Sequence, residues 1–262
     1  MPGYHWISLT TDYGLSDGFV AACHGMFARI VPAIRIIDVT HLVPPADVAR
    51  GAAVLAQTAP YLPDAVHVAV VDPGVGTQRR GVALQTPRGA LVGPDNGLLL
   101  PAADALGGVR EAVELTNPAW FAGTVSHTFH GRDVFAPVAA HLALGHRISE
   151  AGPQLDPADL VRLPEPPVEV GDGWLNAPVR TVDHFGNVQL GADASALAGL
   201  GPRVRVGEVR ASKAETFGVV PPGEMVVYGD SAGLVAVAIN GGRAADVLGV
   251  TAADPLRIET VD

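Results

Sequence analysis

Cysteine is nearly missing from this 262-residue sequence, in which Cys23 is the only one. A single thiol excludes an intrachain disulfide and any zinc site built from several cysteines. The histidine spacings HxH and HExxH, which are typical of hydrolytic metal sites, are missing as well. We therefore expect no metal in the chemistry of this protein.

Basic residues are scarce. Lysine and arginine together number 17, against 27 aspartates and glutamates, and the formal net charge is −10. Because binding to phosphate backbones needs clustered lysine and arginine, we expect no nucleic-acid partner. The glycine-rich patterns GxGxxG and GxxxxGK are also missing, so the sequence has no phosphate-binding loop of those types.

Long apolar runs are the third absence. No stretch approaches the roughly 18 to 20 uninterrupted apolar residues that span a bilayer. The first residues, "MPGYHWISLTTDYG", have neither a basic region nor an apolar region of the kind found in secretory signals. The sequence therefore predicts a cytoplasmic protein without a membrane span.

What the first 150 residues do contain is an alternation of strand and helix patterns. Short runs rich in β-branched residues, "HWISLTT", "IRIIDVT" and "VHVAVVD", indicate buried strands. Between them lie "SDGFVAACHGMFARIV" and "DVARGAAVLAQTAPYL", whose apolar residues have helical spacing. This alternation predicts a mostly parallel sheet with flanking helices.

The second part of the chain has a different composition. Residues 152–178 are rich in proline, and short strand patterns separated by glycine turns follow them. We therefore predict an α/β protein with an N-terminal α/β domain over 1–165. A C-terminal antiparallel β-barrel domain over 166–262 completes the prediction.

Aspartates end all three predicted strands, at Asp12, Asp38 and Asp72. Ligands of open parallel sheets bind outside the carboxyl ends of the strands, which favours a functional role for at least one of these acids. Asp12 and Asp17 could together bind vicinal hydroxyls of a sugar. The alternative is structural, because Ser16 or Asp17 could cap the next helix.

Two further segments could carry chemistry. In "VDPGVGTQRRG" a rigid turn holds Asp72 and Arg79 at a fixed separation, as either a catalytic edge or a surface ion pair. In "TFHGRDVFAP" His130 could orient a water or shuttle a proton. Arg132 and Asp133 could equally form an ion pair, and we favour a helix N-cap for Asp133.

A turn in the second domain, "TVDHFGNVQL", has features of a binding site for a planar ring. Asp183 and Asn187 bracket Phe185, whose ring could stack on a base, while the Asn187 amide could match a purine edge. The alternative is an ordinary hairpin with asparagine at its turn.

Taken together, these segments resemble the S-adenosylmethionine hydroxide adenosyltransferases, a family that includes the fluorinating and chlorinating 5′-halogenases. The matching segments follow one another in order over nearly the full length. They are "LTTDYGLSDGFVAACHG", "IIDVTHLVPPADVARGA", "VDPGVGTQRR", "GPDNGLL", "TFHGRDVFAPVAAHLA", "DHFGNVQL" and "DSAGLVAVAINGG".

The resemblance implies an enzyme that hydrolyses S-adenosylmethionine to adenosine and L-methionine by displacement at the ribose C5′. It implies that Asp72, Arg79 and His130 position the attacking water. It also implies a homotrimer, with the substrate between one subunit's N-terminal domain and its neighbour's C-terminal domain, and no cofactor besides the substrate.

The substrate contacts implied by the resemblance lie in both domains. They are Asp12 for the ribose, Asp183 and Ser231 for the methionine end, Phe185 and Asn187 for the adenine, and backbone groups of Ile239 for the base. The sequence departs from the family at the methionine end, because Asp230 and Ala236 replace the asparagine and glutamate of "NSFGYLE".

The halogenases of the family differ at the same places. The fluorinating branch is similar to "TYPATG" where this chain has "VDPGVG", and its halide pocket has a serine in place of Gly131. Gly131 is compatible with chloride or hydroxide, whereas an anionic Asp72 would repel a halide. Because Asp72 neighbours an arginine, we expect a lowered pKa and a weak base. A chlorinase-like 5′-halogenase and a catalytically silent sensor of S-adenosylmethionine or adenosine are the alternatives.

Overall fold

The computed structural model describes residues 3–261, which divide into two compact units between Leu163 and Pro164. Each unit has a hydrophobic core of its own. Over the described range, no helix is long and apolar enough to cross a membrane.

The N-terminal unit is built on a seven-stranded sheet with the order β2-β1-β3-β5-β4-β6-β7. In chain order the strands are β1 (Trp6–Thr11), β2 (Arg35–Thr40), β3 (Ala65–Val70), β4 (Gly81–Thr86), β5 (Gly89–Pro94), β6 (Glu111–Glu114) and β7 (Gln154–Leu155). Strands β2, β1, β3 and β5 are parallel neighbours, whereas β4 pairs antiparallel with both β5 and β6. Most strands therefore run in one direction, as predicted.

Helices cover both faces of this sheet. They are α1 (Phe19–Ile30), α2 (Val48–Thr58), α3 (Leu100–Ala105) and α4 (Ala136–Ala143), with short 3₁₀ turns at Ala59–Tyr61, Pro118–Trp120, Ile148–Glu150 and Pro157–Asp159. Helices α1 and α4 share one core layer with the sheet, and α2 and α3 share the other. Strand β3 is buried along its whole length because its alternate side chains enter the two layers.

A π-helical turn, Gly131–Phe135, leads directly into α4. Because the α-helix proper begins at Ala136, Pro137 lies in its first turn, where proline is tolerated. Turns of π-helix are rare and are found frequently at functional sites.

The C-terminal unit is a closed barrel of seven strands with an eighth strand attached. The strands are β8 (Glu169–Gly171), β9 (Trp174–Val182), β10 (Val188–Asp193), β11 (Arg203–Val206), β12 (Val209–Lys213), β13 (Met225–Gly229), β14 (Leu234–Ile239) and β15 (Pro255–Thr260), with 3₁₀ turns at Ala194–Gly199 and Phe217–Val219 and helix α5 at Ala244–Leu248. Pairing of β9 with both β10 and β15 closes the ring, and β8 pairs with β9. The predicted antiparallel barrel is confirmed with one exception, because β12 and β13 are parallel.

Candidate active site

The turn after β3 brings Asp72 and Arg79 into a bidentate ion pair. Arg79 Nε donates to Asp72 Oδ1 at 3.1 Å, and its Nη2 donates to Oδ2 at 2.6 Å. Both side chains are more than nine-tenths buried. This pair is therefore not the surface ion pair that the sequence left open, and burial makes it costly to break.

Glycine is required in this turn at Gly76. Its φ of +76° is in the left-handed region, and an added Cβ would lie 2.3 Å from the carbonyl oxygen of His127. The turn is also closed by Thr77, whose hydroxyl donates to the Gly74 carbonyl at 2.7 Å and accepts from the Arg79 N–H. The turn thereby fixes the position of the Arg79 side chain relative to Asp72.

His130 is the third member of the cluster. Arg79 Nη2 donates to His130 Nδ1 at 3.0 Å. Because a guanidinium only donates, Nδ1 must accept, and a neutral His130 carries its proton on Nε2. Burial, followed by the charge of Arg79, lowers the pKa of His130, which keeps the ring neutral at pH 7. His130 can therefore donate one hydrogen bond from Nε2.

The pKa of Asp72 differs from the expectation. Burial raises the pKa of this carboxyl above its usual value, and the charge and hydrogen bonds of Arg79 oppose the increase without cancelling it. The predicted lowering of the Asp72 pKa was wrong because it weighed the arginine and left out desolvation. Asp72 is consequently a stronger base than an exposed aspartate.

The loop before α4 is anchored by Asp133. Arg132 donates to its carboxylate from Nε at 2.6 Å and from Nη2 at 2.9 Å, and the Ser126 N–H donates to it at 2.9 Å. The predicted ion pair is present, but the N-cap role was wrong because Asp133 lies within the π-helical turn. By closing the loop from Ser126, Asp133 supports the position of His130.

Gly131 is buried against Tyr13, a residue that the sequence reasoning missed. An added Cβ at position 131 would lie 2.0 Å from the Tyr13 hydroxyl oxygen. The Tyr13 ring packs edge-on against Phe129 and also contacts Phe19. Burial, with smaller contributions from Asp12 and other charged groups, raises the pKa of Tyr13, so the phenol stays protonated. Its place directly after Asp12 is the sequence signal that could have identified it.

Asp12 follows β1, which neighbours β3 in the sheet, so Asp12 and Asp72 lie at the same edge. The Ala46 N–H donates to Asp12 Oδ2 at 2.9 Å, and Ala46 has a strained φ of +65°. Among the described residues, Asp12 Oδ1 accepts no hydrogen bond. Asp17 is exposed, and Gly18 rather than Ser16 or Asp17 is the N-cap of α1.

Asp38 does not lie at the strand end where the sequence placed it. It lies inside β2, paired with Leu9, and its carboxylate contacts two histidines. The Asp38 carboxylate is therefore separate from the cluster around Asp72.

The predicted adenine-binding turn of the barrel unit is organised by Asp183. Its Oδ1 accepts from the N–H groups of Phe185 and Asn187 at 2.9 Å each, and its Oδ2 accepts from Asn187 Nδ2 at 2.8 Å. Phe185 is 71% exposed at the tip of this turn. One of the two amide N–H groups of Asn187 is thus used within the turn, whereas the exposed Phe185 ring is free to stack.

The remaining predicted contacts lie on the neighbouring strands β13 and β14. Ser231 is exposed in the turn between them, which Asp230 closes by accepting from the Ala232 and Leu234 N–H groups. Ile239 ends β14, and its carbonyl accepts from the Gly242 N–H at 3.1 Å. The structure thus groups Asp72, Arg79, His130 and Gly131 in one unit, and it places Asp183, Phe185, Asn187, Ser231 and Ile239 on turns and strand ends of the other.

One group of residues could hold a cation. His24, Asp38 and His41 present three ligand atoms within 4.8 Å of one another, although the sequence predicted no metal site. Their histidines are distant in sequence, so no spacing pattern reveals them.

Family models match both units of the chain. The SAM hydroxide adenosyltransferase N-terminal domain matches residues 7–152, and the C-terminal domain of the same family matches residues 177–257. SAM denotes S-adenosylmethionine.

Individual relatives agree with the family models. A protein of Salinispora arenicola named (R)-S-adenosyl-L-methionine hydrolase is 65% identical over 97% of each chain, and one of that name from Thermus thermophilus is 42% identical over 95% of this chain and 97% of its own. A fluorinase of Actinoplanes is 29% identical over 89% of this chain and 90% of its own. A crystal structure of an uncharacterized conserved protein from Thermotoga maritima has a TM-score of 0.88 at 37% identity, covering 96% of this chain and 99% of its own. The chain belongs to the SAM hydroxide adenosyltransferase family.

Proposed function

We propose that this protein hydrolyses S-adenosyl-L-methionine to adenosine and L-methionine, by attack of water on the ribose C5′. The names of its relatives at 65% and 42% identity support this reaction, and those names specify the (R) epimer, which we propose as the substrate here. The observation that carries the mechanism is the buried Asp72–Arg79 pair with the half-buried His130 bonded to it, at the carboxyl edge of the sheet.

In the proposed reaction, the water donates one O–H to the Asp72 carboxylate. The Nε2–H of His130 donates to one lone pair of the water, and the other lone pair attacks C5′ opposite the sulfur. As the C5′–O bond forms, the C5′–S bond breaks and its electron pair neutralises the sulfonium, which releases methionine as a thioether. The water proton passes to Asp72 and then to solvent.

The raised pKa of Asp72 supports its role as the general base. Arg79 keeps the buried carboxylate ionised, while burial makes it more basic than an exposed aspartate. Such assistance contributes roughly 10² to 10⁴ in rate. Alignment of the water by two fixed groups raises the rate further, because the water is already held in the orientation for attack and loses less entropy in reaching the transition state.

The same carboxylate favours water over a halide. At 4 Å and an effective dielectric constant near 20, two unit negative charges repel by about 4 kcal/mol. A chloride at the position of the water would meet this repulsion from Asp72. We therefore propose hydrolysis rather than halogenation.

The substrate contacts implied by the family complete the proposal. Asp12 Oδ1 accepts from a ribose hydroxyl, Phe185 stacks on the adenine, and Asp183, Asn187, Ser231 and Ile239 contribute at the base and the methionine end. We propose no cofactor, because the sulfonium is already an excellent leaving group. We also propose a homotrimer that brings both contact sets to each substrate. Light scattering should then give about three times the chain mass of 26.9 kDa.

The decisive experiment is incubation of the purified protein with S-adenosylmethionine in ¹⁸O-labelled water. We expect equal amounts of methionine and adenosine, with one ¹⁸O in the adenosine 5′-hydroxyl, with or without a chelator. A halogenated nucleoside formed in added chloride would show a halogenase. Tight binding without methionine release would show a sensor.

Arg79 and Arg80 provide a matched pair of variants. Arg80 also forms an ion pair outside the cluster, in which its Nε and Nη2 both donate to Oδ2 of the buried Asp95 carboxylate. Because lysine cannot reproduce the forked contact, R79K should lower kcat/KM by about 10²-fold. The control R80K should stay within about threefold of the native enzyme. Equal losses in both variants would contradict the assigned role of Arg79.

A further inference from the structure

Three side chains converge beside the edge strand β2, outside the cluster described above. His24 Nε2, from α1, lies 2.9 Å from Asp38 Oδ1, and His41 Nε2 lies 3.1 Å from the same oxygen. His24 and Asp38 are partly exposed, whereas His41 is 96% buried, with 4% of its surface accessible. The three ligand atoms all lie within 4.8 Å of one another.

His41 carries the second observation. Its Nδ1 is hydrogen-bonded to Thr11 Oγ1 at 2.9 Å, whereas its buried Nε2 makes no hydrogen bond, despite its short distance from Asp38. A buried ring nitrogen without a partner costs free energy, and such atoms in native proteins call for an explanation. Nε2 lies 3.1 Å from Asp38 Oδ1 without the alignment of a hydrogen bond, so this nitrogen stays available to a third atom.

We propose that His24 Nε2, Asp38 Oδ1 and His41 Nε2 bind one divalent transition-metal cation of the zinc type. Two imidazoles and a carboxylate are ligands that such cations prefer, and three protein ligands leave a coordination position for solvent. Donor atoms about 2.0 to 2.1 Å from one ion lie about 3 to 4 Å apart, so only small rotations of the partly exposed His24 and Asp38 are needed.

The surroundings of His41 fit this role. A histidine that binds metal through one ring nitrogen commonly donates from the other to a fixed oxygen, which here is Thr11 Oγ1. The His41 carbonyl also accepts from the Gly14 N–H at 2.8 Å. The cation would therefore connect α1, β2 and the loop after β1, and this inference is independent of the proposed hydrolysis.

The test is titration of the tag-free protein with zinc chloride in a calorimeter, supported by cobalt(II) absorption spectra. We expect one zinc per chain, a melting temperature that rises with zinc, and at least tenfold weaker binding in H24A and D38N. His24 is partly exposed on a helix, so H24A should fold. Its zinc affinity therefore decides the result if D38N fails to fold. The control H5Q removes an exposed histidine elsewhere and should bind as the native protein does.

Two outcomes would overturn the inference. One is the absence of stoichiometric zinc binding to the native protein. The other is native-like affinity in H24A, since the cation would then be held by other groups.

Discussion

Replacing Gly131 by alanine tests the contact between the π-helical turn and Tyr13. The new Cβ would lie 2.0 Å from the Tyr13 hydroxyl oxygen, far inside the optimal separation of about 3.5 Å for such atoms. The φ of Gly131 is not in the left-handed region, so the backbone accepts alanine and the cost comes from this contact. The Tyr13 ring cannot move freely, because Phe19 and Phe129 pack against it.

Overpacking of this kind costs about 1 to 3 kcal/mol in free energy of unfolding. The second variant, Y13F, removes the clashing oxygen and leaves the ring carbon Cζ 3.1 Å from the new Cβ. The double variant Y13F/G131A should therefore be more stable than G131A, with a coupling energy of about 1 kcal/mol or more. Y13F alone should change stability little, because the hydroxyl makes no hydrogen bond with the described residues.

Urea unfolding of the native protein and the three variants gives the complete cycle. The rate of adenosine formation should fall in G131A and recover in part in Y13F/G131A, as the stability does, because residue 131 directly follows His130. A coupling energy near zero, or native stability in G131A, would refute the steric account of Gly131.

Three further predictions concern protonation and the turn after β3. Burial lowers the pKa of His67 to about 4 from the usual 6.5, so the unfolded chain binds more protons between these values. The contribution of His67 should therefore lower the free energy of unfolding by about 3 kcal/mol as the pH falls from above 6.5 to 4. Urea unfolding over this pH range should show a smaller loss of stability in H67Q than in the native protein. The rate of hydrolysis should fall as the pH drops through the raised pKa of Asp72, which gives the pH–rate profile an acid limb. R79Q should move this acid limb to higher pH, because the arginine that opposes the increase in pKa is gone. An unmoved acid limb would exclude Asp72 as the base. G76A should lose about 1 to 3 kcal/mol of stability in urea unfolding, whereas G74A, which meets no such contact, should not.

The spacing of apolar residues and the positions of glycine and proline predicted the architecture well. The apolar runs indicated β1, β2 and β3, and the glycine-separated strand patterns indicated the barrel. These features depend on neighbours along the chain, so a sequence can display them. The parallel pairing of β12 with β13 depends on how distant strands meet in the ring, and no local pattern encodes it.

The site was predicted less completely, because its geometry depends on contacts between residues that are distant in sequence. Asp72, Arg79 and His130 could be named from the family, but the His130 tautomer depends on a contact across 51 positions. The contact of Tyr13 with Gly131 and the surroundings of Asp38 also depend on packing. Burial likewise reversed the expected direction of the Asp72 pKa, because desolvation depends on the surrounding atoms and not on the neighbouring residue type.

Burial and ion pairing act on the pKa of Asp72 in opposite directions, and the proposed chemistry needs both. Without Arg79, burial would raise the pKa of this carboxyl further, and a protonated carboxyl could not accept a proton from water. An exposed carboxylate paired with arginine would be ionised, but it would be a weak base and would compete with solvent for hydrogen bonds. The bidentate contact keeps the buried group charged, and Arg79 also fixes the His130 tautomer by donating to Nδ1. One guanidinium therefore sets the protonation state of both groups that we propose to hold the water, which is why a lysine with the same charge should not replace it.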